Sequence, residues 1–467
     1  MRRLLAALGV VLILAAASRA QDDSFVFGSF GRVTLYRPQG TPRAVVLFVS
    51  GDGGWNLGVI DMARRLQALG AAVAGIDMRT LQRNLESSAR PCVYPAGDFE
   101  ELSRAVQLRL KLSRYERPLL VGYSSGATLV YGVVAQAPPE TFAGAISLGF
   151  CPDLEVAKPL CGQRRLTVTA RKNGRGFDLG AAKGLAVPWF VLQGEIDQVC
   201  DPGGTKAFVG QIPKATLLSL PHVGHGFSVT KNWDAQFVTA FEALSSRDIA
   251  SAPVRDPGAP DIALDEVDAA EGTSGDTLAV LLTGDGGWAE IDKGIAGALA
   301  ARGIPVLGWS SLEYYWTPRT PEGAARDLEA IIRHYLAARK KSRVLLVGFS
   351  FGADVLPFLA SRLPPEVASR VAGIALIGLS MHAQFEFHVT GWLGGHGDPH
   401  FPTAPEVARL KGLSVLCLQG QDDDDSACRG IPPGFARTLV LPGGHHLGGD
   451  YARVGSLIME ALGSKKP

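Results

Sequence analysis

This chain repeats one succession of patterns twice. Ala44-Val45-Val46-Leu47-Phe48-Val49-Ser50 runs into Gly51-Asp52-Gly53-Gly54-Trp55, and Leu278-Ala279-Val280-Leu281-Leu282-Thr283 runs into Gly284-Asp285-Gly286-Gly287-Trp288. Each is followed by an amphipathic helix pattern, a stop at Gly70 or Gly303, and a second apolar strand, Ala72 to Ile76 or Ile304 to Gly308. Each then reaches a Gly-x-Ser-x-Gly pentapeptide behind another apolar run, Gly122-Tyr123-Ser124-Ser125-Gly126 and Gly348-Phe349-Ser350-Phe351-Gly352. Two more strands are shared, Ala145 to Leu148 with Ile374 to Ile377, and Trp189 to Gln193 with Val415 to Gln419. From Trp55 to Trp288 the offset is 233 residues, from Ser124 to Ser350 226, and from His225 to His445 220. Such steady offsets mean tandem homologous domains rather than a solenoid. Apolar runs alternating with helix-length amphipathic stretches predict the α/β class, each domain a mostly parallel sheet with helices on both faces. The periodic pattern lapses between Ser245 and Pro260, where Ser, Ala, Pro and Asp predominate. The expected layout is a first domain over 24–247, a stiff extended linker over 248–260 and a second domain over 261–467.

The chain has 46 Lys and Arg against 45 Asp and Glu, a formal net charge of +1. That balance predicts no electrostatic pull toward nucleic acid. Met1-Arg2-Arg3, the apolar Leu4 to Ala17 and the small residues of Ser18-Arg19-Ala20 read as a secretion signal over 1–20, with an uncleaved anchor as the lesser alternative because the apolar stretch is short for a membrane span. Six cysteines agree with export to an oxidising compartment. Cys151 and Cys161 bracket one short loop and Cys417 and Cys428 another, which suggests two local disulfides and leaves Cys92 with Cys200 by elimination. Buried free thiols are the other reading, above all for Cys417 in its apolar strand. There is no Cys-x-x-Cys and no Cys/His cluster of zinc spacing, so no metal and no cofactor is expected.

In an open parallel sheet, sites form beyond the carboxyl ends of strands. Ser124, Asp197 and His225 fall at such ends in the first half, and Ser350, Asp423 and His445 in the second. The order Ser, acid, His behind a Gly-x-Ser-x-Gly elbow is that of the α/β-hydrolases, so two tandem α/β-hydrolase-like domains are expected. A serine hydroxyl is a poor nucleophile until a His takes its proton, and the acid fixes the imidazole tautomer and stabilises the imidazolium. Four aspartates in a row, Asp422 to Asp425, would by default be a solvated turn; alignment on Gly194 and Gly420 pairs Asp423 with Asp197. Matching Gly444-His445-His446-Leu447 to Gly224-His225-Gly226-Phe227 selects His445, with His446 as a one-residue-slip alternative.

The Gly-Asp-Gly-Gly-Trp loops lack the Gly-Lys-Ser/Thr ending of a phosphate loop. They are expected to aim backbone N–H groups at an oxyanion, from Asp52 and Gly53 or Asp285 and Gly286, with the second donor at Ser125 or Phe351. Phe385-Glu386-Phe387-His388 and Gly391-Trp392-Leu393-Gly394-Gly395 read either as a lid or lipid-facing wall above the second site, or as a surface loop packing its own rings. The segment from Tyr314 to Pro321, with Thr320, should reach the rim.

The second half resembles the bacterial VirJ/AcvB virulence-protein family. The matching segments are Thr283 to Trp288, Gly348 to Pro357, Phe385 to His388, Trp392 to Gly394 and Gly443 to His446. The two-domain layout resembles the longer, AcvB-like members. The resemblance implies an exported protein, periplasmic and peripheral to the inner membrane, that hydrolyses aminoacyl-phosphatidylglycerol, notably the lysyl form. It also implies links to type IV secretion components. Aminoacyl-ester hydrolysis needs a serine, a base and an oxyanion hole, and its substrate carries one or two ammonium groups. Asp422, Asp424, Asp425, Glu386 and Thr320 are the candidates to hold it, the carboxylates by charge-assisted hydrogen bonds. The competing reading is a non-catalytic adaptor whose serines are relics, or else a generic carboxylesterase or lipase.

Overall fold

A computed structural model describes residues 23–162, 166–172, 174–245, 258–273, 275–387 and 401–463. The secretion signal, the linker through residue 257, His388 and the Gly391 to Gly395 stretch lie outside the described residues.

The first sheet holds β1 (Asp23–Phe27), β2 (Gly31–Tyr36), β3 (Ala44–Val49), β4 (Ala71–Ile76), β5 (Leu119–Tyr123), β6 (Gly144–Leu148), β7 (Trp189–Gly194) and β8 (Ala215–Leu220), in the order β1-β2-β4-β3-β5-β6-β7-β8. The second holds β9 (Leu264–Val267), β10 (Thr277–Leu282), β11 (Val306–Trp309), β12 (Arg343–Phe349), β13 (Val371–Ile377), β14 (Val415–Gly420) and β15 (Arg437–Leu441), in the order β9-β11-β10-β12-β13-β14-β15. Apart from the extra edge strand β1, the two orders are the same. Pairing is parallel from β4 to β8 and from β11 to β15, and antiparallel at the β2 and β9 edges. Central strands covered on both faces need continuous apolar runs, and Val45 to Val49 and Val344 to Val347 are all buried. Each sheet separates two apolar clusters, one under each layer of helices. This is the two-fold α/β-hydrolase architecture expected above.

In both halves the tryptophan of the Gly-rich loop lies over a glycine of the neighbouring strand. A Cβ on Gly75 would come within 2.1 Å of the Trp55 ring, and one on Gly308 within 2.4 Å of Trp288. Those two glycines anchor the loop that leads into each site.

The cysteines pair differently from the expectation. Cys417–Cys428 is a local disulfide, but the other two are Cys92–Cys161 and Cys151–Cys200. Closeness in sequence is overruled by topology. Cys151 and Cys200 each follow the carboxyl end of a strand, β6 and β7, and these strands are parallel neighbours. Cys92 and Cys161 meet because Val93 and Leu160 form a short parallel bridge. The three disulfides fit an oxidising compartment.

Candidate active sites

Both candidate nucleophiles sit on a left-handed turn between a strand and a helix. Ser124, between β5 and α1 (Ser125–Gln136), has φ 56°, and Ser350, between β12 and α2 (Phe351–Ala360), has φ 51°. Such a conformation costs a non-glycine residue about 1–3 kcal/mol, so the surroundings must impose it. They do so by close approach. A Cβ on Gly122 would lie 2.2 Å from the Gly126 carbonyl oxygen, and one on Gly352 2.3 Å from that of Leu282.

The structure brings both predicted trios together. Ser124 Oγ lies 2.9 Å from His225 Nε2, and His225 Nδ1 lies 2.9 Å from Asp197 Oδ2. Ser350 Oγ lies 2.9 Å from His445 Nε2, and His445 Nδ1 lies 3.0 Å from Asp423 Oδ2. With Nδ1–H donating to the carboxylate, Nε2 is free to accept the serine proton. His446 makes no such contact. It packs beside Phe349 and His445, and burial lowers its pKa, with His445 adding repulsion.

The Gly-rich loops approach the serines from the neighbouring strand. A Cβ on Gly51 would fall 2.9 Å from Ser124 Cβ, and one on Gly284 3.5 Å from Ser350 Cβ. Gly54 N–H donates to Gly51, and Gly287 N–H to Gly284. Among the described residues, the N–H groups of Asp52, Gly53, Asp285 and Gly286 have no intramolecular acceptor. Ser125 and Phe351 open α1 and α2, where helical N–H groups have no partner within the helix. The loops that carry four of the expected donors thus begin beside the two serines, and the other two donors directly follow the serines in the chain. The loop bases are braced: Ser50 Oγ accepts the Met78 N–H at 3.0 Å, and Thr283 Oγ1 accepts the Ser311 N–H at 2.9 Å.

Of the residues expected to hold substrate, Asp422, Asp424 and Asp425 are exposed on the loop that buries Asp423. Glu386 is half-buried between the buried Phe385 and Phe387. Thr320 is occupied otherwise. Its hydroxyl caps the helix α3 (Pro321–Ala338), accepting the Gly323 N–H at 3.0 Å, as Thr before Pro at a helix start favours.

Several site residues escaped sequence reasoning. Gly149 and Gly378, both with φ 64°, directly follow β6 and β13 under the imidazoles; a Cβ there would meet His225 at 3.2 Å or His445 at 2.8 Å. The signal was present in the duplicated Leu148-Gly149 and Ile377-Gly378. One turn beyond each nucleophile, Thr128 donates to the Cys151 carbonyl at 2.7 Å, and Asp354 accepts the Ser380 N–H at 2.7 Å. Burial raises the Asp354 carboxyl well above the usual carboxylate range, and Asp425 and Asp285 add repulsion. A third group, Arg104, reaches the second site from the first domain.

The family profile described as "Bacterial virulence protein (VirJ)" matches residues 43–145 and 276–466, well over half of the chain. The chain belongs to the VirJ family. The VirJ match runs through both Gly-Asp-Gly-Gly-Trp loops and both serine elbows and includes the whole second trio. A search of curated proteins returns no match. Among solved structures, the chain is similar to the esterase domain of a Rhodothermus marinus protein at 17% identity and TM-score 0.34, over 48% of this chain and 98% of that one. It is similar to a putative dienelactone hydrolase from Klebsiella pneumoniae at 16% identity and TM-score 0.36, over 49% and 98%. A lidless α/β serine hydrolase from Xanthomonas campestris matches at 19% identity and TM-score 0.33, over 51% and 98%.

Proposed function

We propose that the chain is a serine ester hydrolase whose main site is built on Ser350, His445 and Asp423. The observation that carries this reading is the continuous chain of contacts from Ser350 Oγ through the His445 ring to the buried Asp423, at 2.9 and 3.0 Å. Ser350 attacks the ester carbonyl as His445 Nε2 takes its proton. The N–H groups of the Asp285-Gly286 loop and of Phe351 receive the developing oxyanion. The alcohol leaves with the proton from His445, and water then cleaves the acyl-enzyme by the same route in reverse.

The substrate class we infer is the aminoacyl ester of aminoacyl-phosphatidylglycerol, the lysyl form favoured, giving the free amino acid and phosphatidylglycerol. Two things support it: the resemblance to the longer, AcvB-like members, and the exposed carboxylates Asp422, Asp424 and Asp425 on the loop that buries Asp423. The first half has Val199 in the loop after its acid, where the second has Asp425, and Thr128 in place of Asp354. A periplasmic setting at the inner membrane surface, with type IV secretion components nearby, belongs to the same reading.

The test incubates purified protein with defined lysyl- and alanyl-phosphatidylglycerol and with neutral p-nitrophenyl esters, and identifies the products. Release of lysine and phosphatidylglycerol is expected. Turnover of neutral esters alone would replace this reading with a generic carboxylesterase. No turnover of any ester would favour an adaptor.

A further inference from the structure

We propose that the first domain is a working part of the second site: Arg104, on the first-domain helix α4 (Pro95–Arg109), positions the second domain's oxyanion donors. The inference rests on the reading of Ser350 as nucleophile and goes beyond it.

Arg104 is 6% exposed, although an arginine on a free helix face would extend into water. Its guanidinium is held by Glu100 at 2.5 Å and faces Asp285 of the second Gly-rich loop at 3.6 Å. It also lies over the Phe387 ring, 5.1 Å from the centroid. Burial and the neighbouring Asp285 both raise the Glu100 carboxyl, while Arg104 works against them. One buried cation from the first domain thus neutralises two carboxylates, one of which belongs to the second site.

The contact divides into two arms that meet at Ser350. Through Asp285, Arg104 fixes the tip of the loop whose Asp285 and Gly286 N–H groups are the first oxyanion donors. Through Phe387, it supports the wall beside the other donor. Phe387 stacks on Trp316, with centroids 6.0 Å apart, and its N–H donates to the Tyr315 carbonyl. The Tyr315 ring in turn lies 5.1 Å from Phe351, the residue after the nucleophile. The first domain seals this wall at a second point. Trp316 Nε1 donates to the Leu112 carbonyl at 2.8 Å, and Tyr115 packs on the same indole at 5.3 Å. The equivalent first-domain loop, at Asp52, has no ion pair among the described residues, so the clamp is a property of the second site alone.

Arg104 touches neither serine nor histidine, and its role is positioning. A donor moved off line is lost in the transition state more than in the ground state, so kcat should fall while KM holds. The test uses the full chain with Ser124→Ala in every variant, which removes turnover at the first serine, and p-nitrophenyl butyrate as the probe. Arg104→Met should lower kcat by roughly 10- to 100-fold with KM changed less than about threefold, and should slow phosphonylation of Ser350 by a fluorophosphonate to match. Arg104→Lys should recover part of the loss. Asp285→Asn, made on an exposed side chain, should fall in the same direction, and the double variant should be no worse than Arg104→Met alone. If Arg104→Met melts below the assay temperature, Arg104→Lys and Asp285→Asn decide the matter. Wild-type kcat and labelling rate in these variants, with Ser350→Ala inactive, would overturn the clamp and leave the proposed function standing. Undiminished turnover in Ser350→Ala would instead overturn the proposed function itself.

Discussion

The two halves carry the same trio at the same places but hold it differently. In the first, Asp197 is pinned. Its Oδ1 accepts the N–H groups of Val199 at 2.8 Å and Cys200 at 3.0 Å, and its Oδ2 accepts Gln193 Nε2 at 3.0 Å. The Cys151–Cys200 disulfide ties that loop to the end of β6. The Tyr123 hydroxyl donates to the His225 carbonyl at 2.9 Å, and the imidazole is only 16% exposed. In the second half, among the described residues, the Asp423 carboxylate takes only His445, whose side chain is 36% exposed. Gln419, the counterpart of Gln193, turns away to accept the Ser426 hydroxyl at 2.8 Å. The first site is closed and braced from within its own domain. The second is open, ringed with carboxylates and aromatic rings, and braced from the other domain. A duplicated scaffold thus keeps a complete trio in both halves while the surroundings of the two copies diverge.

The largest expected effect sets one copy against the other. Ser350→Ala should reduce aminoacyl-ester hydrolysis by about 10⁴-fold or more without loss of fold, because the trio acts as a unit. His445→Ala should match it, and His446→Ala should cost less than about tenfold. Ser124→Ala in the same assay should be much milder. If Ser124→Ala is the more damaging change, the ranking of the two sites is reversed.

A smaller effect concerns charge. The exposed Asp424 and Asp425 have no acidic counterparts in the first acid loop, where the matching residues are Gln198 and Val199. Changing both to Asn should cut lysyl-ester hydrolysis more than alanyl-ester hydrolysis, by about five- to a hundredfold in relative rate, with added salt narrowing the gap. Equal loss on both esters would make the cluster an ordinary solvated turn.

The smallest effect is on stability. Asp292 stands where the first half has the buried Val59, and burial pushes its carboxyl from 3.8 up to about 8. A carboxyl with its pKa raised by folding binds its proton more tightly in the folded chain. Stability therefore falls as pH rises from about 4 to about 8. Asp292→Asn does not titrate and can still accept the Ala289 N–H. It should melt roughly 2–8 °C above the wild-type chain at pH 8, with the advantage shrinking toward pH 4. A pH-independent difference would show that Asp292 is not the group responsible.

Much of this was legible in the sequence because the repeat supplied an internal alignment. Asp423 was separable from three neighbouring aspartates only because Gly194 and Gly420 could be superposed, and His445 from His446 only through Gly224 and Gly444. The glycines that make room for tryptophan and imidazole rings, Gly75, Gly308, Gly149 and Gly378, also stand in register in both halves, but a period of hydrophobicity does not say which ring a glycine faces. What the sequence hid was long-range. The cysteine pairs follow strand adjacency, which loop length does not encode. Arg104 lies on an amphipathic helix of the first domain, and no pattern within one domain marks a side chain that serves the other. Thr320 looked available because a rim position and a helix cap read alike in sequence.

The most direct measurement is to react the full chain with a fluorophosphonate and locate the modified serine by peptide mass spectrometry, with and without His445→Ala. An adduct on Ser350 that forms faster than any on Ser124 and is lost in His445→Ala is expected. An adduct confined to Ser124, or labelling of Ser350 that ignores His445, would contradict that expectation.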